Sequence, residues 1–200
     1  GTPTANIKYY QEDVQKTIDK LKGKLIIKYY PTRSASVNTL ASHLKQMEIQ
    51  EIKPDVVIVD YADILKPTTF YKEKRHATGE TYENLRGMAG EFDIPIWTAS
   101  QANRSSLEED VIDASKVAED YSKVMTADFV MSVSRKVEDK IANTGRVHVI
   151  KNRFGVDGIT FPANINTNTG LIEVYEASTQ GGKEAQGKMD NSEEYLRQTL

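Results

Sequence analysis

Apolar positions fall in two alternating rhythms along the chain. Ile7, Tyr10, Val14, Ile18 and Leu21 recur in steps of three and four, which predicts an amphipathic helix over 5–22 closed by Gly23. Lys16, Lys20 and Lys22 then form its solvated side. Lys24 to Tyr30, carrying Leu25-Ile26-Ile27, reads as a strand stopped by Pro31. Val37, Leu44 and Met47, with Leu40, form the next helical stripe, capped by Ser34 or Ser36. His43 borders that stripe without ligand partners at metal spacing and reads as structural or exposed. Tyr82, Leu85, Met88, Ala89 and Phe92 predict a helix over 80–92, where Gly87 and Gly90 each cost about 1 kcal/mol relative to Ala or permit close packing.

Short apolar runs lie between these helices. Val56-Val57-Ile58-Val59 enters after Lys53-Pro54 and ends in Asp60-Tyr61. It predicts a strand buried on both faces of a parallel sheet. Ile94 to Ser100 and Ala127 to Val133 predict two more strands. Residues 107–124 read as a loop followed by a helix, and Arg135 to Thr144 as a polar turn. Arg146 to Lys151 alternates, and His148 faces opposite to Val147 and Val149, which suits a surface or cross-strand role. Turns at 152–158 and 166–170 separate Ile159-Thr160-Phe161 from Leu171 to Tyr175, so the last strands read as antiparallel hairpins appended to a parallel sheet. From Ser178 onward no core-forming period is visible, which predicts a flexible tail.

At 200 residues the chain suits one domain with a sizeable core. A net charge of −3 rules out a polycation, so any nucleic-acid contact must be local. With no cysteine, disulfide frameworks and thiolate metal sites are excluded. No apolar run approaches the roughly 20 residues of a membrane span, and no signal peptide is visible. A soluble, intracellular protein without membrane contact is expected. The opening Gly1-Thr2-Pro3 lacks a Met, so a piece of a longer protein is expected too.

Chemistry concentrates at strand ends. Open α/β sheets bind ligands at the carboxyl ends of their strands. Asp60 ends one strand and the polar cluster Ser100-Gln101-Ala102-Asn103-Arg104 ends another, so the two can share a crevice. An acid so placed suits Mg²⁺, held through water beside nucleotide phosphates; alone, it equally suits an Asp capping a βα turn. Residues 68–79 mix Lys72, Lys74 and Arg75 with Phe70 and Tyr71. They read either as a solvated surface loop or as a loop touching a phosphate backbone and stacking on bases.

Five motifs in order resemble the RecA-like ATPase domain of the DnaB-family replicative helicases, phage members included. Leu25-Ile26-Ile27 with Thr32 and the Ser/Val-rich helix start is similar to the strand and helix before the family's acid. Val57-Ile58-Val59-Asp60-Tyr61 resembles "IxIDYLQL", with Ala62-Asp63 in place of Leu-Gln. Ile94-Pro95-Ile96 through Arg104 resembles "VPVxxLSQLNR", Ala127 to Met131 resembles "ADLIMF", and Lys151 to Gly155 resembles "GKxRNG". The resemblance implies a mostly parallel, twisted RecA-like sheet flanked by helices, with antiparallel hairpins at its C-terminal edge. It implies a leading helix or linker at 1–23, an ATPase core at 24–176 and a flexible tail at 177–200.

It further implies ATP and Mg²⁺ as cofactors. Asp60 would hold the metal through water, Gln101 would sense the γ-phosphate, and Lys151 and Arg153 would reach a neighbouring subunit's nucleotide, Arg153 as arginine finger. The bland alternative for Arg153 is an exposed hairpin arginine. Single-stranded DNA would run through a hexameric homo-oligomeric ring, with a primase and a loader as further partners and the host cytoplasm as location. Lys72, Lys74, Arg75, Arg104, Lys116 and Lys123 are the DNA-contact candidates. No G-x-x-x-x-G-K-[ST] occurs in the sequence. The family's phosphate loop and catalytic Glu would precede this chain, leaving one sheet face uncovered and the chain alone unable to hydrolyse ATP. A strand-exchange recombinase, a KaiC-like ATPase and a non-enzymatic RecA-like module are the competing readings.

Overall fold

The computed structural model describes residues 14–16, 18–20, 22–69, 74–102, 111 and 122–199. The chain divides into two compact units, 1–31 and 32–200. In the first, residues 14–16 and 18 are helical, in line with the predicted leading helix. Residues 24–30 form no strand: among the described residues the backbone finds no ladder partner, and Leu25, Ile27 and Tyr29 are exposed. The division between the two units falls after Pro31.

The second unit opens on helix α1, Val37–Ile49. Ser36 is its cap. The Ser36 hydroxyl accepts from the Thr39 N–H at 3.4 Å, and the Thr39 hydroxyl accepts from the Ser36 N–H at 3.2 Å. Two orphan donors are satisfied reciprocally, with Thr in the place Glu usually takes. Strand β1, Val57–Val59, pairs in parallel with β2, Ile96–Thr98. A one-turn 3₁₀ helix, Ala62–Ile64, follows β1. Helix α2, Lys74–Phe92, crosses between the two strands in sequence. Val37, Leu44 and Met47 from α1, Val59 and Ala62, and Tyr82, Leu85, Met88 and Phe92 from α2 form one buried cluster. All four predicted α2 side chains other than Ala89 are in it, because steps of three and four put them on one face.

Helix α3, Ser122–Thr126, leads into a four-stranded antiparallel sheet. Its strands are β3 (Phe129–Ser134), β4 (Thr144–Asn152), β5 (Thr160–Asn166) and β6 (Leu171–Val174), in that order. His148 meets Thr160 across the β4–β5 ladder at 2.9 Å, as its alternation predicts. Val147, Ala163 and Ile165 form a second, smaller core.

Four expectations are corrected. The sheet is not mostly parallel among the described residues: only β1 and β2 pair in parallel, and β3 joins the antiparallel hairpins instead. β1 is not buried on both faces, since Ile58 is 74% exposed beside Trp97 on the same face. Residues 137–142 are not a turn but helix α4, Val137–Ala142, closed by Asn143 in the left-handed region. The tail is not featureless: Gln180–Thr199 forms helix α5, and Ala185 and Met189 are fully buried. One turn apart, they pack α5 against β4, β5 and α4.

Candidate functional site

The parallel register pairs Val59 with Thr98. Residues following each strand therefore leave from the same end, which puts Asp60 and Gln101 together as predicted. The Thr98 hydroxyl donates to the Val59 carbonyl at 2.9 Å and accepts from the Ala62 N–H at 2.9 Å. That hydroxyl fixes the turn after Asp60. The Gln101 amide donates to the Tyr61 hydroxyl at 3.1 Å, tying the two strand ends side to side. Asp60 is exposed, and the peptide joining it to Tyr61 is cis.

Behind this edge lies a polar knot that sequence reasoning missed. Asp63 receives the Lys123 ammonium at 2.9 Å, the Tyr82 hydroxyl at 3.0 Å and the Ser100 hydroxyl at 3.1 Å. Lys123 also donates to Ser100 at 3.0 Å. Burial and the Asp63 carboxylate together push the Tyr82 phenol well above its ordinary range. The one available signal was Asp63 itself, an acid where the resembling motif carries Gln.

Lys123 was expected to contact DNA. Its side chain is 3% exposed and committed to Asp63, so a phosphate backbone cannot reach it. Lys74 and Arg75 lie on the first turn of α2 rather than on a loop, and their side chains fall outside the described residues. Lys72, Arg104 and Lys116 fall outside them too.

The turn carrying Lys151 and Arg153 closes β4 in the antiparallel sheet. Asp60 and Gln101 thus follow strands of the two-stranded sheet, whereas Lys151 and Arg153 lie at the end of a strand of the four-stranded one. The turn is not sealed inside: the Arg153 side chain is half-exposed. Its guanidinium meets Asp128 at 2.6 Å, and the Arg86 guanidinium meets the same oxygen at 3.0 Å. The Lys151 ammonium donates to the carbonyls of Val124 at 2.9 Å and Met125 at 2.8 Å. These belong to the last turn of α3, where backbone carbonyls attract cations. Burial, together with Arg153 and Arg86, lowers the Lys151 pKa below its ordinary value, with Asp128 opposing.

Asp60 is the residue that could hold Mg²⁺. Among the described residues no group of three or more His, Asp or Glu converges as a metal cage. A lone carboxylate at a strand end fits Mg²⁺, which keeps several waters and takes its remaining oxygens from phosphates. Asp63 is three residues away but is neutralised by Lys123. None of the described helices is long and apolar enough to cross a membrane.

Comparison with known proteins bears on the fold and the family. The DnaB-like replicative helicase of Enterobacteria phage T4 is 33% identical over 137 residues, covering 66% of this chain and 29% of that protein. The chain thus spans less than a third of that relative's length. Two solved structures share the fold at 22% identity, each over 71% of this chain. One is an ATPase domain, matched with a TM-score of 0.62 over 52% of its own length. The other is a DnaB-like replicative helicase, described together with its interactions with primase and matched with a TM-score of 0.61 over 36% of its length. The family model of the DnaB-like helicase C terminal domain matches residues 4–165. Most of the chain lies within that match, and it belongs to the family of DnaB-like helicase C-terminal domains.

Proposed function

We propose that this chain is part of the motor of a ring-shaped replicative helicase, in which ATP hydrolysis drives movement along single-stranded DNA and unwinding of the duplex. The observation that carries the reading is the common end of β1 and β2, where Asp60 is exposed and Gln101 bonds Tyr61, the residue next to it. In this reading Asp60 holds Mg²⁺, and Gln101 touches the terminal phosphate. Lys151 and Arg153 serve the nucleotide of an adjacent copy, which requires a ring, hexameric by family. The half-exposed Arg153 supports that role, since it must leave Asp128 to reach outward. A primase, a loader and a cytoplasmic location belong to the same proposal, as do DNA contacts by Lys72, Lys74, Arg75, Arg104 and Lys116.

The test grafts residues 24–176 into the matching segment of the phage T4 relative and measures DNA-stimulated ATP hydrolysis. Arg153→Ala lowers turnover by about 10³-fold or more, the range for a lost arginine finger. Asp60→Asn abolishes it. Mixing the two variant subunits restores part of the rate, because some interfaces pair an intact Asp60 with an intact Arg153. A folded, ring-forming hybrid whose turnover ignores Arg153→Ala overturns the reading in favour of a non-enzymatic module, which the missing phosphate-loop motif would suit. The 200-residue chain alone is expected to show no DNA-stimulated hydrolysis.

A further inference from the structure

Helix α3 is short, yet it touches both halves of the candidate site. At its start, Lys123 sits between Asp63 and Ser100, the residue next to Gln101. At its end, the Val124 and Met125 carbonyls hold Lys151. The Arg86 guanidinium donates to the Thr126 carbonyl just beyond. Helix α2 runs a second brace alongside. Tyr82 bonds Asp63 at the Gln101 end. Arg86, one turn later, bonds Thr126 and Asp128 at the Arg153 end. Every link is a direct hydrogen bond or ion pair between named atoms, and the Lys123 side chain is 3% exposed, so water does not substitute for it.

We propose that Lys123 is a positioning residue that couples the Gln101 end of β2 to the Lys151–Arg153 turn through α3. The inference deepens the motor reading above and rests on it for its meaning. If Gln101 meets one nucleotide and Arg153 the next, α3 is the element by which occupancy of one site biases the other within a single protomer. A short helix held at both ends transmits a displacement because its buried Lys123 end cannot move without breaking the Asp63 contact, and its other end cannot move without breaking the hydrogen bonds from Lys151 and Arg86. The coupling is reciprocal, so it can be read from either end.

The experiment uses the full chain without nucleotide. Lysine ammonium groups are observed by ¹⁵N NMR, and the solvent exchange of the Lys123 ammonium protons is measured. Lys151→Met removes only the far contact with the α3 carbonyls. It is expected to speed Lys123 exchange by about fivefold or more, the lower end of coupling between linked sites, and to shift the Gln101 side-chain amide. A purely stabilising role for α3 would instead speed exchange uniformly, including at the Leu85 and Met88 amides of the main core. Lys140→Met, at an exposed position of α4, leaves Lys123 unchanged.

In the opposite direction, Lys123→Met with Asp63→Asn removes both charges and speeds Lys151 exchange, while Lys123→Arg preserves it. Should the double variant fail to fold, the Lys151→Met arm still decides. Unchanged Lys123 and Gln101 signals, or a uniform rise, overturn the relay. Those results leave the nucleotide assignment to the hybrid ATPase, whose insensitivity to Arg153→Ala would in turn leave the exchange data intact.

Discussion

Asp139 offers the most demanding test of how the chain holds the Lys151–Arg153 hairpin in place. It is fully buried on α4. Its carboxylate meets the Arg146 guanidinium at 2.7 Å, and it accepts from the Lys136 N–H at 2.8 Å and the Thr144 hydroxyl at 3.3 Å. Arg146 lies on β4, five residues before Lys151. Removing one partner of a buried pair leaves the other charge desolvated, at about 3–5 kcal/mol. Asp139→Ala should cost that much. At about 2–4 °C per kcal/mol for a chain of this size, the melting temperature should fall by about 6–20 °C. Urea unfolding followed by circular dichroism measures it. The Lys45–Glu91 pair, 2.8 Å apart but open to solvent, provides the contrast: Lys45→Ala should leave the urea midpoint nearly where it was, because water screens that pair. The joint change Asp139→Leu with Arg146→Met should recover part of the loss, because no charge is then stranded, although the Lys136 N–H and the Thr144 hydroxyl lose the Asp139 acceptor. A cost below about 1 kcal/mol for Asp139→Ala, the level of a solvated pair, would refute the reasoning, since it would mean water reaches the carboxylate.

Two further outcomes follow from the geometry. The Tyr82 phenol has its pKa raised by folding, so its contribution to stability is complete below about pH 10 and is lost as pH rises through the higher folded value; wild-type stability should fall above about pH 10 more steeply than that of Tyr82→Phe in parallel urea titrations. A Cβ at Gly145 would stand 2.5 Å from Ile165 Cδ1 and 3.0 Å from the Ser134 carbonyl, so Gly145→Ala should destabilise by about 1–3 kcal/mol through overpacking, and an unchanged urea midpoint would show that Ile165 has room to turn aside.

Much of the main core could be read from the sequence because local signals and packing agree there. Ser36 caps the helix that Val37, Leu44 and Met47 bury. The apolar runs ending in Asp60 and Ser100 do end at one edge. Reading failed where tertiary context decides. Leu25-Ile26-Ile27 has strand composition but no ladder partner among the described residues. Residues 180–199 carry too few apolar positions to announce a helix, yet Ala185 and Met189 suffice because β4, β5 and α4 await them. Lys123 has the composition of a surface cation; only the fold brings Asp63, sixty residues earlier, to meet it. Asp128 lay inside a quoted motif, but nothing local says that two arginines converge on it.

The uncovered side of β1 and β2 has a practical corollary. Trp97 is the chain's single tryptophan, about half-exposed beside Ile58 and edge-on to Phe129 at 5.9 Å. Its indole is thus a native optical reporter for that apolar side. Whatever comes to lie there, whether another polypeptide or a second copy, will displace water from the ring, shift its emission to the blue and shield it from soluble quenchers.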